Sequence, residues 1–139
     1  MSAVMPSAYA GSVDDQRCPC GSGDLFSGCC GPLLAGETLA PTAERLMRSR
    51  YTAFVRQDGE YLRASWHPST RPSAIEFEPS LEWRRLLIVD RSGGGPFDRD
   101  GVVEFEAFWR QDGDRGSMRE RSRFVREDRR WFYVDGDVE

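Results

Sequence analysis

Apolar positions recur at helical spacing between residues 42 and 66, then alternate at strand spacing from about residue 75 onward. Thr42, after Pro41, predicts a helix N-cap, and Glu44 in the first turn suits the helix dipole. Met47, Tyr51, Phe54 and Val55 follow at helical intervals with Leu46 beside them, while Arg45, Arg48 and Arg56 fall on other faces. A second helix is predicted from Asp58 through Tyr61, Leu62 and Trp66. Pro68 stops it, because proline disfavours helical geometry in the residue before it.

Strand patterns then take over. The segment 75–78 alternates, but Pro79 limits it to a short edge strand or a loop. Residues 83–90 and 102–110 read as strands separated by a glycine-rich loop, and 118–127 and 129–136 complete a set linked by hairpins. Helices first and antiparallel strands after them predict an α+β fold, a helix pair packed on a curved antiparallel sheet. Residues 1–16 are small, polar and irregular, and are expected to be mobile.

Residues 17–31 fit neither pattern. They read RCPCGSGDLFSGCCG and hold all four cysteines of the chain, Cys18, Cys20, Cys29 and Cys30. C-x-C, eight residues, then C-C suits a closed tetrahedral site with no open position for substrate. The surrounding glycines allow a tight reversal, Pro19 stiffens the first pair, and Arg17 is placed to offset thiolate charge. Two disulfides would need C-x-C or vicinal links, or pairing across a very short loop, and unpaired thiols would find little core here. Metal binding is the expectation, with Zn²⁺ first and iron the alternative that four thiolates also suit.

Composition narrows the function. All 19 basic residues are arginine, as codon bias in a GC-rich genome would produce, so mechanisms built on lysine are excluded. A net charge of −4 argues against nucleic acid as the main partner. The first fifteen residues lack the basic and apolar regions of a secretory signal, and no run approaches the ~18 apolar residues of a membrane span. A cytoplasmic protein with no membrane partner is expected, where thiols stay reduced and clustered cysteines bind metal.

The body offers a few polar candidates. His67, the only histidine, sits between Trp66 and Pro68 at a helix end, where it either caps carbonyls, packs beside Trp66, or serves a pocket. Strand alternation puts Arg121 and Arg123 on one face, with Glu120, Ser122 and Phe124 on the other. The two arginines either clamp an anion or pair with cross-strand carboxylates such as Glu104 and Glu106. Arg50 lies near the apolar face of the first helix, where a buried pair with a sheet carboxylate is expected. No nucleophile or phosphate-loop motif is present.

The stretch CPCGSGDLFSGCCG resembles the SEC-C motif, the small metal-binding module at the end of the bacterial preprotein translocase ATPase. LMRSRYTAF (46–54), WHPST (66–70), ERSRFVRED (120–128) and WFYVDG (131–136) resemble the YchJ-like family of uncharacterised bacterial proteins. The resemblance implies a SEC-C knuckle at 17–31, with Cys30 as last ligand. It also implies a cystatin-like or nuclear-transport-factor-like roll over 32–139. By the same resemblance, a protein partner is expected, a secretion chaperone or the ribosome. Leu25 and Phe26, at the tip between the cysteine pairs, are the expected contact residues. The leading expectation is a zinc-binding, non-enzymatic interaction module. The alternative is a small-ligand or enzymatic pocket in the roll using Trp66, His67, Arg121 and Arg123.

Overall fold

The computed structural model describes residues 16–139; most of the N-terminal segment expected to be mobile lies outside the described residues. A single helical turn at Phe26–Gly28 leads into α1 (Cys30–Leu34), followed by α2 (Ala43–Arg56) and α3 (Gly59–Ala64). Four strands follow: β1 (Leu81–Gly93), β2 (Asp100–Gln111), β3 (Asp114–Glu127) and β4 (Arg130–Val138). They pair antiparallel in the order β1-β2-β3-β4, a plain meander. Among the described residues no helix is long and apolar enough to cross a membrane.

Local chemistry sets the helix boundaries. Thr42 caps α2 as its residue type predicts, its hydroxyl accepting from the Arg45 amide at 3.1 Å. Gln57 ends α2 in the left-handed region. Asp58 caps α3 through the Tyr61 amide at 3.0 Å. The second helix is shorter than its apolar pattern suggests: Trp66 lies outside it and instead bridges to Tyr133 of β4, whose amide donates to the Ser65 carbonyl. Pairing with the sheet outcompetes the last helical turn. Residues 75–78 form no strand, the second of the two outcomes Pro79 allows.

The hairpins are tighter than the polar stretches imply. The β2–β3 connection is Asp112–Gly113 alone, both with positive φ, and the β3–β4 connection is Asp128–Arg129, also with positive φ at both. Two-residue turns of this hand match the right-handed twist of the flanking strands.

The sheet buries one face against α2. Leu86, Val103, Phe105, Ala107 and Phe124 point inward to meet Leu46, Met47 and Tyr51. The four cysteines, Phe26 and Leu33 belong to the same buried cluster, so the knuckle packs on the roll and is not a separate lobe.

Candidate functional site

A four-thiol centre is held against α2. The sulfur atoms of Cys18, Cys20, Cys29 and Cys30 all lie within 4.8 Å of one another, and every one of these residues is buried. None is in a disulfide. A tetrahedral ion with metal–sulfur bonds of ~2.3 Å requires S···S edges of about 3.8 Å. The observed Cys20–Cys29 and Cys29–Cys30 edges are 3.6 and 4.0 Å. The geometry fits a tetrahedrally coordinated metal, and four sulfur donors leave no position for a substrate.

Four thiolates around a dication would carry a net charge of −2, and the donors placed to offset it come largely from the roll. Thr52 Oγ1 donates to Cys30 Sγ at 3.4 Å and lies 3.8 Å from Cys18 Sγ. Ser22 Oγ lies 3.1 Å from Cys29 Sγ. Arg48 Nη1 donates to the Cys20 carbonyl at 2.8 Å and is itself oriented by Glu44 at 2.9 Å. Arg17, expected to offset thiolate charge, instead donates to the Gly23 carbonyl. Without an ion the thiols share protons unevenly. Hydrogen bonds from Cys18 and Cys30 hold Cys20 far below the ordinary thiol range, with burial opposing. Burial pushes Cys29 up to about 11. A bound cation replaces those shared protons, as thiolate ligation requires.

The knuckle tip differs from expectation. Phe26 is buried, its ring against Gly31 and under the Arg56 guanidinium at 4.6 Å, so it is not an exposed contact residue. α1 and the end of α2 supply the cover that a 15-residue module cannot provide alone. Leu25 is 41% exposed.

A second site lies between α2 and the inner face of the sheet. A cavity of about 280 Å³ is walled by Met47, Tyr51, Phe54, Trp66, Trp83 and Tyr133, with Phe105, Ala107 and Met118 as its sheet side. Its polar lining is Arg50, Glu120 and Ser122. Arg50 is 3% exposed. Its Nη1 donates to the Leu62 carbonyl and to Ser65 Oγ at 2.8 and 2.6 Å, and its guanidinium stacks on the Tyr133 and Trp66 rings at 4.5 and 5.0 Å. The expected ion pair with a sheet carboxylate is not found among the described residues, and burial brings the Arg50 pKa down to about 10. Glu120 Oε2 accepts from Ser122 Oγ and the Tyr133 hydroxyl at 2.7 and 3.0 Å. Trp66 Nε1 is buried without a hydrogen-bond partner among the described residues.

Of the four residues expected to serve a pocket, only Trp66 lines this cavity. His67 faces away: its ring bonds Ser69 and Glu127 at 2.7 and 2.9 Å and packs edge-on to Phe132. Arg121 and Arg123 lie on the outer face, Arg121 reaching Glu104 at 3.4 Å and Arg123 bonding Asp135 and Asp137. They are cross-strand pairs on a solvated surface and do not form an anion clamp. The polar groups that do converge, Arg50 and Glu120, carry a signal in the sequence. Each is a charged residue on a face that also carries core residues, Met47 and Tyr51 beside Arg50 and Phe124 beside Glu120.

The family model described as YchJ, middle NTF2-like domain, matches residues 42–136. A UPF0225 protein of Streptomyces coelicolor is 47% identical over 120 residues, covering 86% of this chain and 94% of the relative. One from Corynebacterium efficiens is 48% identical over 124 residues, covering 89% and 95%. The solution structure of a SEC-C motif containing protein from Rhodopseudomonas palustris matches with a TM-score of 0.77 at 34% identity, covering 88% of this chain and 98% of that one. The crystal structure of a SEC-C motif containing protein from Psychrobacter arcticus matches with a TM-score of 0.74 at 26% identity, covering 91% and 85%. A matched middle domain, preceded by a four-cysteine cluster that can hold a metal ion, places the chain in the YchJ-like family of UPF0225 proteins.

Proposed function

We propose that this protein is a zinc-stabilised, non-enzymatic binding protein whose ion is structural and whose working site is the cavity under α2. The observation that carries the reading is the charged, fully covered Arg50 at the wall of an aromatic cavity, with no ion pair among the described residues. Burying an unpaired guanidinium is costly, and a fold that retains one beside a cavity gains by presenting it to a ligand. Zinc is favoured over iron because a closed tetrathiolate site in a structural role needs no redox chemistry. Binding is favoured over catalysis because no histidine or cysteine lines the cavity and the four thiols are committed to the ion. The test is a small-molecule screen on zinc-loaded protein, read through the indole resonances of the four tryptophans. Ligands that shift Trp66 and Trp83 but leave Trp109 and Trp131 in place support the reading. A screen that moves none of them, or only Trp109, opposes it.

A second reading keeps a protein partner, the secretion chaperone or ribosome of the family resemblance, docking through the knuckle. The exposure of Leu25 favours it, although Phe26 no longer contributes. Affinity capture with wild type and Leu25→Ala tests it; identical partners recovered with both would remove the knuckle tip as the docking surface.

A further inference from the structure

The polar lining of the cavity limits what kind of molecule it accepts. Two charged side chains line it. Arg50 uses Nη1 for protein acceptors, and no hydrogen bond from its Nε or Nη2 is found among the described residues. Glu120 uses Oε2 for Ser122 and Tyr133, and no hydrogen bond to its Oε1 is found among the described residues. The cavity lining therefore offers a donor edge on Arg50 and an acceptor on Glu120, and their formal charges, one guanidinium and one carboxylate, sum to zero. Ser122, whose hydroxyl is committed to Glu120, is the other polar residue of the lining, and the rest of the wall is apolar or aromatic.

Resting on the ligand-binding reading, we propose that the cavity takes a small, flat, net-neutral molecule. It would carry a hydrogen-bond acceptor beside a donor on one end of an aromatic or apolar body, as a primary amide or lactam does. The acceptor faces Arg50 and the donor faces Glu120 Oε1. An anionic ligand would satisfy Arg50 but share a low-dielectric cavity with the Glu120 carboxylate, and a cationic one would share it with the Arg50 guanidinium. A neutral donor–acceptor pair satisfies both without adding charge. The size agrees: about 280 Å³ is roughly twice the ~150 Å³ apolar cavity that holds benzene, enough for one ring and a polar substituent. The walls agree as well, since Tyr51, Phe54, Trp66 and Trp83 offer ring faces and edges to a planar body.

The test uses four matched probes on the zinc-loaded full chain, namely benzamide, benzoate, benzylamine and toluene, followed by the indole resonances of Trp66 and Trp83. Benzamide is expected to bind about tenfold more tightly than toluene, the difference one or two net hydrogen bonds supply. It is also expected to bind more tightly than either charged probe. Glu120→Gln leaves an oxygen to accept from Ser122 and Tyr133 but turns the cavity side into a donor. It is expected to weaken benzamide several-fold and leave toluene unchanged. Benzoate or benzylamine binding as tightly as benzamide, or toluene matching it, overturns the ligand class while leaving the cavity as a binding site. An unchanged benzamide affinity in Glu120→Gln does the same. No indole shift with any probe overturns both. The wild-type ranking needs no variant to fold.

Discussion

Thr52 Oγ1 donates a hydrogen bond to Cys30 Sγ across 3.4 Å, joining α2 of the roll to the thiol cluster of the knuckle. The residue is fully buried, so its hydroxyl has no water to turn to. Removing the hydroxyl with the near-isosteric Thr52→Val leaves one sulfur with more unbalanced charge. Metal affinity is expected to fall by about 10- to 100-fold, the usual effect of losing an outer-sphere partner. Competition with a chromophoric chelator measures it. An affinity equal to wild type would show that the contact is incidental.

Phe26 and Leu25 are adjacent in sequence and opposite in exposure. Phe26→Ala empties a buried ring site between α1 and Arg56 and is expected to cost about 3–5 kcal/mol. Leu25→Ala is expected to stay within about 0.5 kcal/mol. Urea unfolding of zinc-loaded protein separates them. Equal effects would mean that the tip packs differently.

Glu44 holds Arg48, which in turn holds the Cys20 carbonyl, and Glu44 also pairs with Arg91. Burial alone would raise the Glu44 pKa, but the hydrogen bonds and charges of Arg48 and Arg91 outweigh it and hold the carboxyl below its ordinary value. A folded-state value below the unfolded one adds stability that is present above the unfolded pKa and is lost as pH falls through the folded one. Glu44→Gln is therefore expected to melt below wild type at pH 7. That gap should close as pH drops below about 4. Melting curves taken from pH 7 to pH 3 would show it, and a gap that widens toward acid would reverse the sign.

The β3–β4 turn places Arg129 at φ 67°, a left-handed conformation that strains a residue with a Cβ. Arg129→Gly relieves that strain at some cost in unfolded-chain entropy, and a net gain of about 0.5–1 kcal/mol is expected. Equilibrium unfolding tests it; a loss would mean that the Arg129 side chain makes a compensating contact.

The elements most visible in the sequence are those whose partners lie close along the chain. The Thr42 cap, the alternation of β2 and the C-x-C…C-C spacing each depend on a few neighbouring residues. The positions that local patterns do not reveal depend on residues distant in the chain. Phe26 looks exposed in a glycine-rich stretch because its cover comes from α1 and Arg56. Trp66 follows a helical pattern, yet a bridge to Tyr133, 67 residues away, draws it out of the helix. That displacement supplies one of the two rings that flank Arg50. His67 is the evident polar candidate by residue type, but the same bridge turns it outward to Glu127. The cavity draws its lining from α2, the segment after α3 and all four strands, so no local motif marks it.

In the proposed reading, commitment of all four thiols to one ion is what leaves the cavity as the working site. Native mass spectrometry of protein purified without added metal, with thiol alkylation in parallel, tests this directly. One zinc per chain with all four cysteines unreactive until the metal is stripped is the expected result. Metal-free protein, with four reactive thiols or with disulfides in their place, would contradict it.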